Sequence, residues 1–328
     1  MQKRMLEVPS TDGVHTLRGI LYLPQEAPRA LIQISHGMTE HIARYEAFME
    51  YLASLGYAVC GHDHIGHGKT AENDSELGFF AQKDGWSILP DDVYAFGKAV
   101  RAELDPALPY LLFGHSMGSF IARIFAARYG VELGALILCG TGGPNPGAKF
   151  GTALARRLAK KNGPQSYSAF VEKLAFGSYN KRTAQKSPVD WLSHDEAVLL
   201  HYAADPFCTF HFTVSALADL FTLSDRANSA QTYAAIPKDL PIYLICGDGD
   251  PVGNYAKGVR RVAEEFRLTG HTKTDLTVYP GCRHELLNEI GKERIMQDIA
   301  AWTDEVLSAA EESAKNPTTA APASENGQ

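Results

Sequence analysis

The chain has 328 residues, 45% of them hydrophobic, and carries 31 Lys and Arg against 38 Asp and Glu, a formal charge of -7. A chain of this length can bury a substantial core, and a mild acidity with no basic run argues against nucleic acid as a partner. No uninterrupted apolar run is long enough to span a bilayer, the N-terminus lacks the apolar stretch of a signal peptide, and an odd set of five cysteines does not make a disulfide framework. A reducing, cytoplasmic setting is therefore expected.

Residues 5–23 alternate apolar and polar around Asp12-Gly13, which predicts an antiparallel hairpin at a sheet edge. Ala30–Ser35 reads as a buried strand running into His36-Gly37. Tyr45–Leu55 has helical spacing, with Phe48, Leu52 and Leu55 on one face and Gly56 as its stop. Tyr57–Cys60 is the next strand. Trp86–Leu104 predicts a helix with Leu89, Val93, Phe96 and Val100 in one stripe and Pro90 in its first turn. Tyr110–Phe113 is a strand, Ile121–Ala127 a helix, and Ala135–Cys139 another strand. This alternation predicts an α/β fold, a mostly parallel sheet with helices on both faces.

The rhythm breaks between about residues 142 and 236, where Trp191–Ala204 and Thr213–Leu223 read as amphipathic helices. Phe207, Phe210 and Phe212 lie between them, and such a cluster serves either as ordinary core or as the lining of a pocket. Strands resume at Pro241–Cys246 and Leu276–Tyr279. The expected division is a core of residues 1–141 and 237–310 with a helical insertion at 142–236. Residues 311–328, rich in Ala, Pro, Thr and Ser, are expected to be a disordered tail.

The chemistry gathers at strand ends. Gly114-His115-Ser116-Met117-Gly118 is a Gly-x-Ser-x-Gly between a strand and a helix, the setting of a nucleophile elbow. A serine nucleophile needs a histidine to take its proton and a carboxylate to orient that histidine. Later in the chain, Gly247-Asp248-Gly249-Asp250 follows one strand and Cys282-Arg283-His284 follows another, so His284 is the candidate base and Asp248 or Asp250 the acid. The backbone amides of Met117 and Met38 are placed to bind an oxyanion. A rival constellation is His62-Asp63-His64-Ile65-Gly66-His67, one residue short of the signature of metallo-β-lactamase-like hydrolases. Gly66 stands where that signature has its metal-binding aspartate, so no metal site is expected there.

His36-Gly37-Met38-Thr39-Glu40-His41 with Arg44-Tyr45, Asp63 to Gly68, Gly114 to Gly118, Gly247 to Asp250 and His284 together resemble the monoacylglycerol lipase and lysophospholipase branch of the α/β-hydrolases. Trp191-Leu192-Ser193 and Asp205-Pro206-Phe207-Cys208 resemble its bacterial members. Ile65 and Thr70 depart from it, standing where many relatives have arginine and serine. The resemblance implies an α/β-hydrolase fold and a triad of Ser116, Asp250 and His284. It implies a structural role for the His-rich loop and a lid at 142–236, with Glu40 and Arg44 bordering the polar end of the pocket. The expected activity is hydrolysis of monoacylglycerol or lysophospholipid acyl esters through an acyl-enzyme, without a cofactor. Transient contact with a membrane or micelle surface goes with such a substrate, and Phe210 and Phe212 are candidates to line its acyl channel. A peptidase of the proline-iminopeptidase kind is the alternative on the same scaffold; it needs an acid in the insertion, such as Glu172, Asp195 or Glu196, to receive a free amine.

Overall fold

The computed structural model describes residues 1–315. Its elements, in chain order, are β1 (Gln2–Pro9), β2 (Thr16–Leu23), β3 (Leu31–Ser35), α1 (Glu46–Ser54), β4 (Ala58–His62), α2 (Ile88–Arg101), β5 (Tyr110–His115), α3 (Met117–Tyr129) and β6 (Ala135–Cys139). The helices α4 (Ala148–Asn162), α5 (Ala169–Phe176), α6 (Glu196–Ala204), α7 (Val214–Ala227) and α8 (Ala230–Ala235) follow. The chain then returns to β7 (Ile242–Gly247), α9 (Lys257–Leu268), β8 (Thr274–Tyr279) and α10 (Lys292–Lys315).

The strands form one sheet in the order β1-β2-β4-β3-β5-β6-β7-β8. β1, β2 and β4 pair antiparallel and all later neighbours pair parallel. The edge hairpin expected around Asp12-Gly13 is thus β1 and β2. The period of two along buried strands divides the core into two layers. Leu112 of β5 and Leu136 and Leu138 of β6 pack with α2, α3 and α9 on one face. Leu111, Phe113, Ile137 and Cys139 pack with α1 and α10 on the other. Full burial of each such leucine or phenylalanine stabilises the fold by roughly 1.5–3 kcal/mol.

Helices α4 to α8 occupy the interval between β6 and β7, where an insertion was expected. Its far end is tied to the core by Arg123 of α3, which is fully buried and donates to Asn228 Oδ1 at 3.0 Å and to the Tyr233 hydroxyl at 2.6 Å. Two expectations need correction. The helix expected over Trp191–Ala204 begins only at Glu196, because Asp195 caps it by accepting from the Ala197 and Val198 amides. The residues before it are drawn off to the sheet's carboxyl end, where Trp191 O accepts from His284 N and Leu192 O from Glu285 N. The tail expected from residue 311 is helical through Lys315, as the last turn of α10; its remainder, 316–328, lies outside the described residues.

Candidate active site

β5 ends in the middle of the sheet and α3 starts immediately after it, so Ser116 is the single residue that must reverse the chain. It does so with φ 52° and ψ -119°, a backbone conformation that a non-glycine residue adopts only under strain. A Cβ on Gly118 would come within 2.0 Å of Ser35 O, and one on Gly114 within 2.5 Å of Gly118 O. Glycine at both places is what lets α3 run this close to β3 and β5. Ser116 N donates to Cys139 O at 3.0 Å, which holds the turn against β6.

Asp250 follows β7 and His284 follows β8, and the parallel sheet brings both to the end where Ser116 stands. Both are buried, and His284 Nδ1 lies 3.0 Å from Asp250 Oδ1. The contact is not a well-aligned hydrogen bond. Asp250 Oδ1 also accepts from Val252 N at 2.8 Å. Asp248, the other acid of the turn, is exposed and accepts from Gly281 N at 2.7 Å, so it shapes the turn and does not meet His284. Trp191 packs its ring 5.0 Å from the His284 ring, and His115 packs 4.8 Å from it on centroids.

Ser116 opens into a cavity of about 670 Å³, mouth included. Met38, Met117 and Phe120 line it from the core, and Phe176, Tyr179, Trp191, Leu220 and Phe221 from the insertion. No Asp, Glu, Lys, Arg or His is among its lining residues. Met117 is the first residue of α3, whose N–H has no partner within the helix. On the facing loop the amides either side of Met38 are committed, Gly37 N to the Glu40 carboxylate and Thr39 N to His67 Nε2.

Four expected binding residues lie elsewhere. Phe210 and Phe212 pack edge-on against His67, and Phe212 against Phe80 as well, so they belong to the core under the insertion and not to the cavity wall. Glu40 and Arg44 do not border the cavity either. They form a buried ionic network behind it: Glu40 accepts from the Tyr45 hydroxyl at 2.8 Å, faces His115 Nδ1 at 3.0 Å and receives Arg44 Nη1 at 3.0 Å. Arg44 in turn donates both Nη atoms to Glu285 at 2.7 Å. Burial alone would push a carboxyl up, but the His115 hydrogen bond and the charges of His115 and Arg44 hold Glu40 well below its usual range. The same contact with Glu40, against the pull of burial, holds His115 above the ordinary histidine value. The network thus touches the Met38 loop through Gly37, the Ser116 turn through His115, and the His284 loop through Glu285.

Breaking a buried ion pair from one side costs about 3–5 kcal/mol. Glu40→Gln is therefore expected to lower stability by that order and to reduce kcat roughly 10- to 100-fold with little change in KM, since Glu40 touches no part of the cavity. Chemical denaturation and steady-state ester kinetics check both. A change confined to KM would show that Glu40 meets substrate after all.

The His-rich loop is occupied by its own structure. His64 Nε2 lies 3.0 Å from Ser35 Oγ, and His67 Nδ1 lies 3.1 Å from Ile65 O. His62 stacks on Phe96, and the Asp63 carboxylate accepts from the Ile42 and Lys69 amides. Burial pushes His62 down to about 3 and His67 to about 4, so both are neutral at pH 7.

A strained serine between strand and helix, with a buried histidine and aspartate from later strand ends of a mostly parallel sheet, defines the α/β-hydrolases. Residues 26–291 match the family described as serine aminopeptidase, S33, and the chain belongs to that family. It is 28% identical to a monoacylglycerol lipase of Mycolicibacterium smegmatis over 90% of this chain and 98% of that protein. It is also 28% identical to the human monoglyceride lipase, over 86% of this chain and 84% of that protein. Among solved structures, a thermostable carboxyl esterase from Bacillus coagulans superposes with a TM-score of 0.87 at 32% identity, covering 94% of this chain and 99% of that one.

Trp191, Phe176, Tyr179, Leu220 and Phe221 were not legible as site residues. They come from three separate segments of the insertion, and only Trp191 stands in a stretch with a family resemblance, Trp191-Leu192-Ser193. Glu285 and His115 had a signal, each being the neighbour of a candidate catalytic residue.

Proposed function

We propose that this protein is a serine hydrolase of carboxylic esters whose substrates are long acyl esters of glycerol or lysophospholipid. The observation that carries this reading is that Ser116 faces a cavity without a single charged side chain, two-thirds of whose lining residues come from the insertion. Ser116 Oγ attacks the acyl carbonyl, and its proton passes to His284. The amides of Met38 and Met117 bind the oxyanion of the tetrahedral intermediate. His284 then returns the proton to the departing alcohol, while Asp250 orients the imidazole and stabilises its charged form. Water, deprotonated by His284, cleaves the acyl-enzyme. None of these steps calls for a cofactor. The relatives named lipases and an esterase support the same substrate class.

A peptidase reading follows from the family's description, but the acids it would use are engaged elsewhere. Glu172 lies 3.0 Å from His211, Asp195 caps α6, and Glu196 pairs with Lys186. The insertion acts as the lid, and it carries exposed Phe150, Tyr167, Phe170, Leu174 and Leu200 with which to meet a membrane or micelle surface. All five cysteines are free thiols, which supports a reducing compartment.

A panel of esters of graded acyl length, with aminoacyl arylamides included, tests the reading. Each buried methylene adds about 0.8 kcal/mol, or roughly fourfold in kcat/KM, so efficiency should climb from acetyl to medium or long chains before levelling off. Phe176→Ala should flatten that climb more than it slows acetyl ester cleavage. Equal efficiency at all lengths, or preference for an arylamide, would move the peptidase ahead.

A further inference from the structure

A second polar cluster lies outside the cavity and takes no part in the chemistry above. His41 sits in the loop that follows Met38, and Asp205 and Cys208 sit in the link between α6 and α7. Among the described residues these three are the one group of His, Cys, Asp and Glu, three or more strong, whose ligand atoms all lie within 4.8 Å of one another. His41 Nε2 stands 2.9 Å from Asp205 Oδ2. Asp205 Oδ1 is committed to Phe207 N at 2.8 Å, which turns Oδ2 toward His41. Cys208 N donates to Asp205 O at 3.0 Å, so one tight turn delivers the carboxylate and the thiol together. The thiol is buried, while the His41 and Asp205 side chains are 15% and 30% exposed, leaving an open side from which an ion and a water can enter.

We propose that His41, Asp205 and Cys208 bind one zinc-like divalent cation, which clamps the insertion to the loop carrying Met38. Thiolate, imidazole and carboxylate together form a donor set that suits zinc and is too soft for magnesium or calcium. With bonds of about 2.0–2.3 Å, tetrahedral zinc holds its donors about 3.3–3.8 Å apart. His41 Nε2 and Asp205 Oδ2 stand 2.9 Å apart and no pair of ligand atoms is separated by more than 4.8 Å, so side-chain rotations of about an ångström close the site. On binding, the Cys208 thiol proton leaves to solvent, the imidazole proton moves to Nδ1, and water completes the fourth position; no electron changes hands. The charge of neighbouring Arg44 is already balanced by Glu40 and Glu285. The clamp would reinforce a contact already made at this junction, where the Tyr202 hydroxyl of α6 donates to Thr39 O at 2.9 Å.

The test is a zinc titration of the full chain after chelator treatment, followed by calorimetry and by competition with a chromophoric chelator. One equivalent should bind, and melting should shift upward as free zinc exceeds Kd. Cobalt in place of zinc should give a thiolate-to-metal absorption band. Cys208→Ser should abolish that band, and both Cys208→Ser and Asp205→Asn should weaken binding by more than the roughly 100-fold that losing an outer-shell partner costs. Circular dichroism verifies folding, and the isosteric Asp205→Asn serves if Cys208→Ser does not fold. Absence of an equivalent of bound zinc, or binding left intact by either folded variant, overturns the proposal.

Discussion

Ser116→Ala is expected to lower ester hydrolysis about 10³-fold or more and to abolish labelling by a fluorophosphonate probe. On the proposed mechanism no other group replaces the attacking oxygen, so the effect is large. Ser116 is held at the strand-to-helix reversal by a strained backbone, with φ at 52°. It is half-buried at the floor of the cavity, and Ser119, its nearest hydroxyl in sequence, is buried and donates to Ser116 O at 2.6 Å. Residual turnover above the uncatalysed rate should persist, since the oxyanion donors and the cavity remain. The mutation also leaves the fold intact, because alanine accepts the same turn at similar strain and the side chain makes no structural hydrogen bond. Labelling of Ser116→Ala at the wild-type rate would transfer the nucleophile to another residue.

The second large effect separates two acids in one turn. Asp250→Asn is expected to reduce kcat by about 10³- to 10⁴-fold, whereas Asp248→Asn should cost less than tenfold. Asp250 is fully buried with its carboxylate 3.0 Å from His284 Nδ1. An amide there offers the wrong partner to the ring nitrogen and no charge to stabilise the imidazolium formed during attack. Asp248 is exposed, and its carboxylate caps the Gly281 amide from outside. Measuring kcat for both variants against one ester decides the matter, and the reverse ranking would assign the acid to Asp248.

Much of the fold was legible because it follows local pattern. Leu89, Val93, Phe96 and Val100 repeat at helical spacing and are all fully buried in α2. Asp12-Gly13 marks a hairpin that forms with the register centred on it. The helix expected at Trp191 failed for a reason outside any local window: its carbonyls are claimed by amides of the His284 loop, nearly a hundred residues away.

The candidate site divides along the same line. Ser116, Asp250 and His284 are short motifs at strand ends; chain order singles out the serine, the histidine and the Asp248-Gly249-Asp250 turn, and the family resemblance points to Asp250 within it. Phe210 and Phe212 were misread because aromatic spacing in a connecting segment tells nothing of which surface will meet it; here that surface is His67 and Phe80. Glu40 and Arg44 were expected at the pocket because the family resemblance implied it. Only packing reveals that their charges turn inward, toward His115 and Glu285, where low dielectric makes an unpaired charge too costly to leave. What the residues determined by themselves is the strand-helix rhythm, the strained serine and the order of the groups that serve it. The cavity's apolar wall, the ionic network behind it and the meeting of His41 with Asp205 and Cys208 join segments tens to hundreds of residues apart. Side chains carry no record in sequence of which distant surface they will face, so the tertiary structure alone decided these.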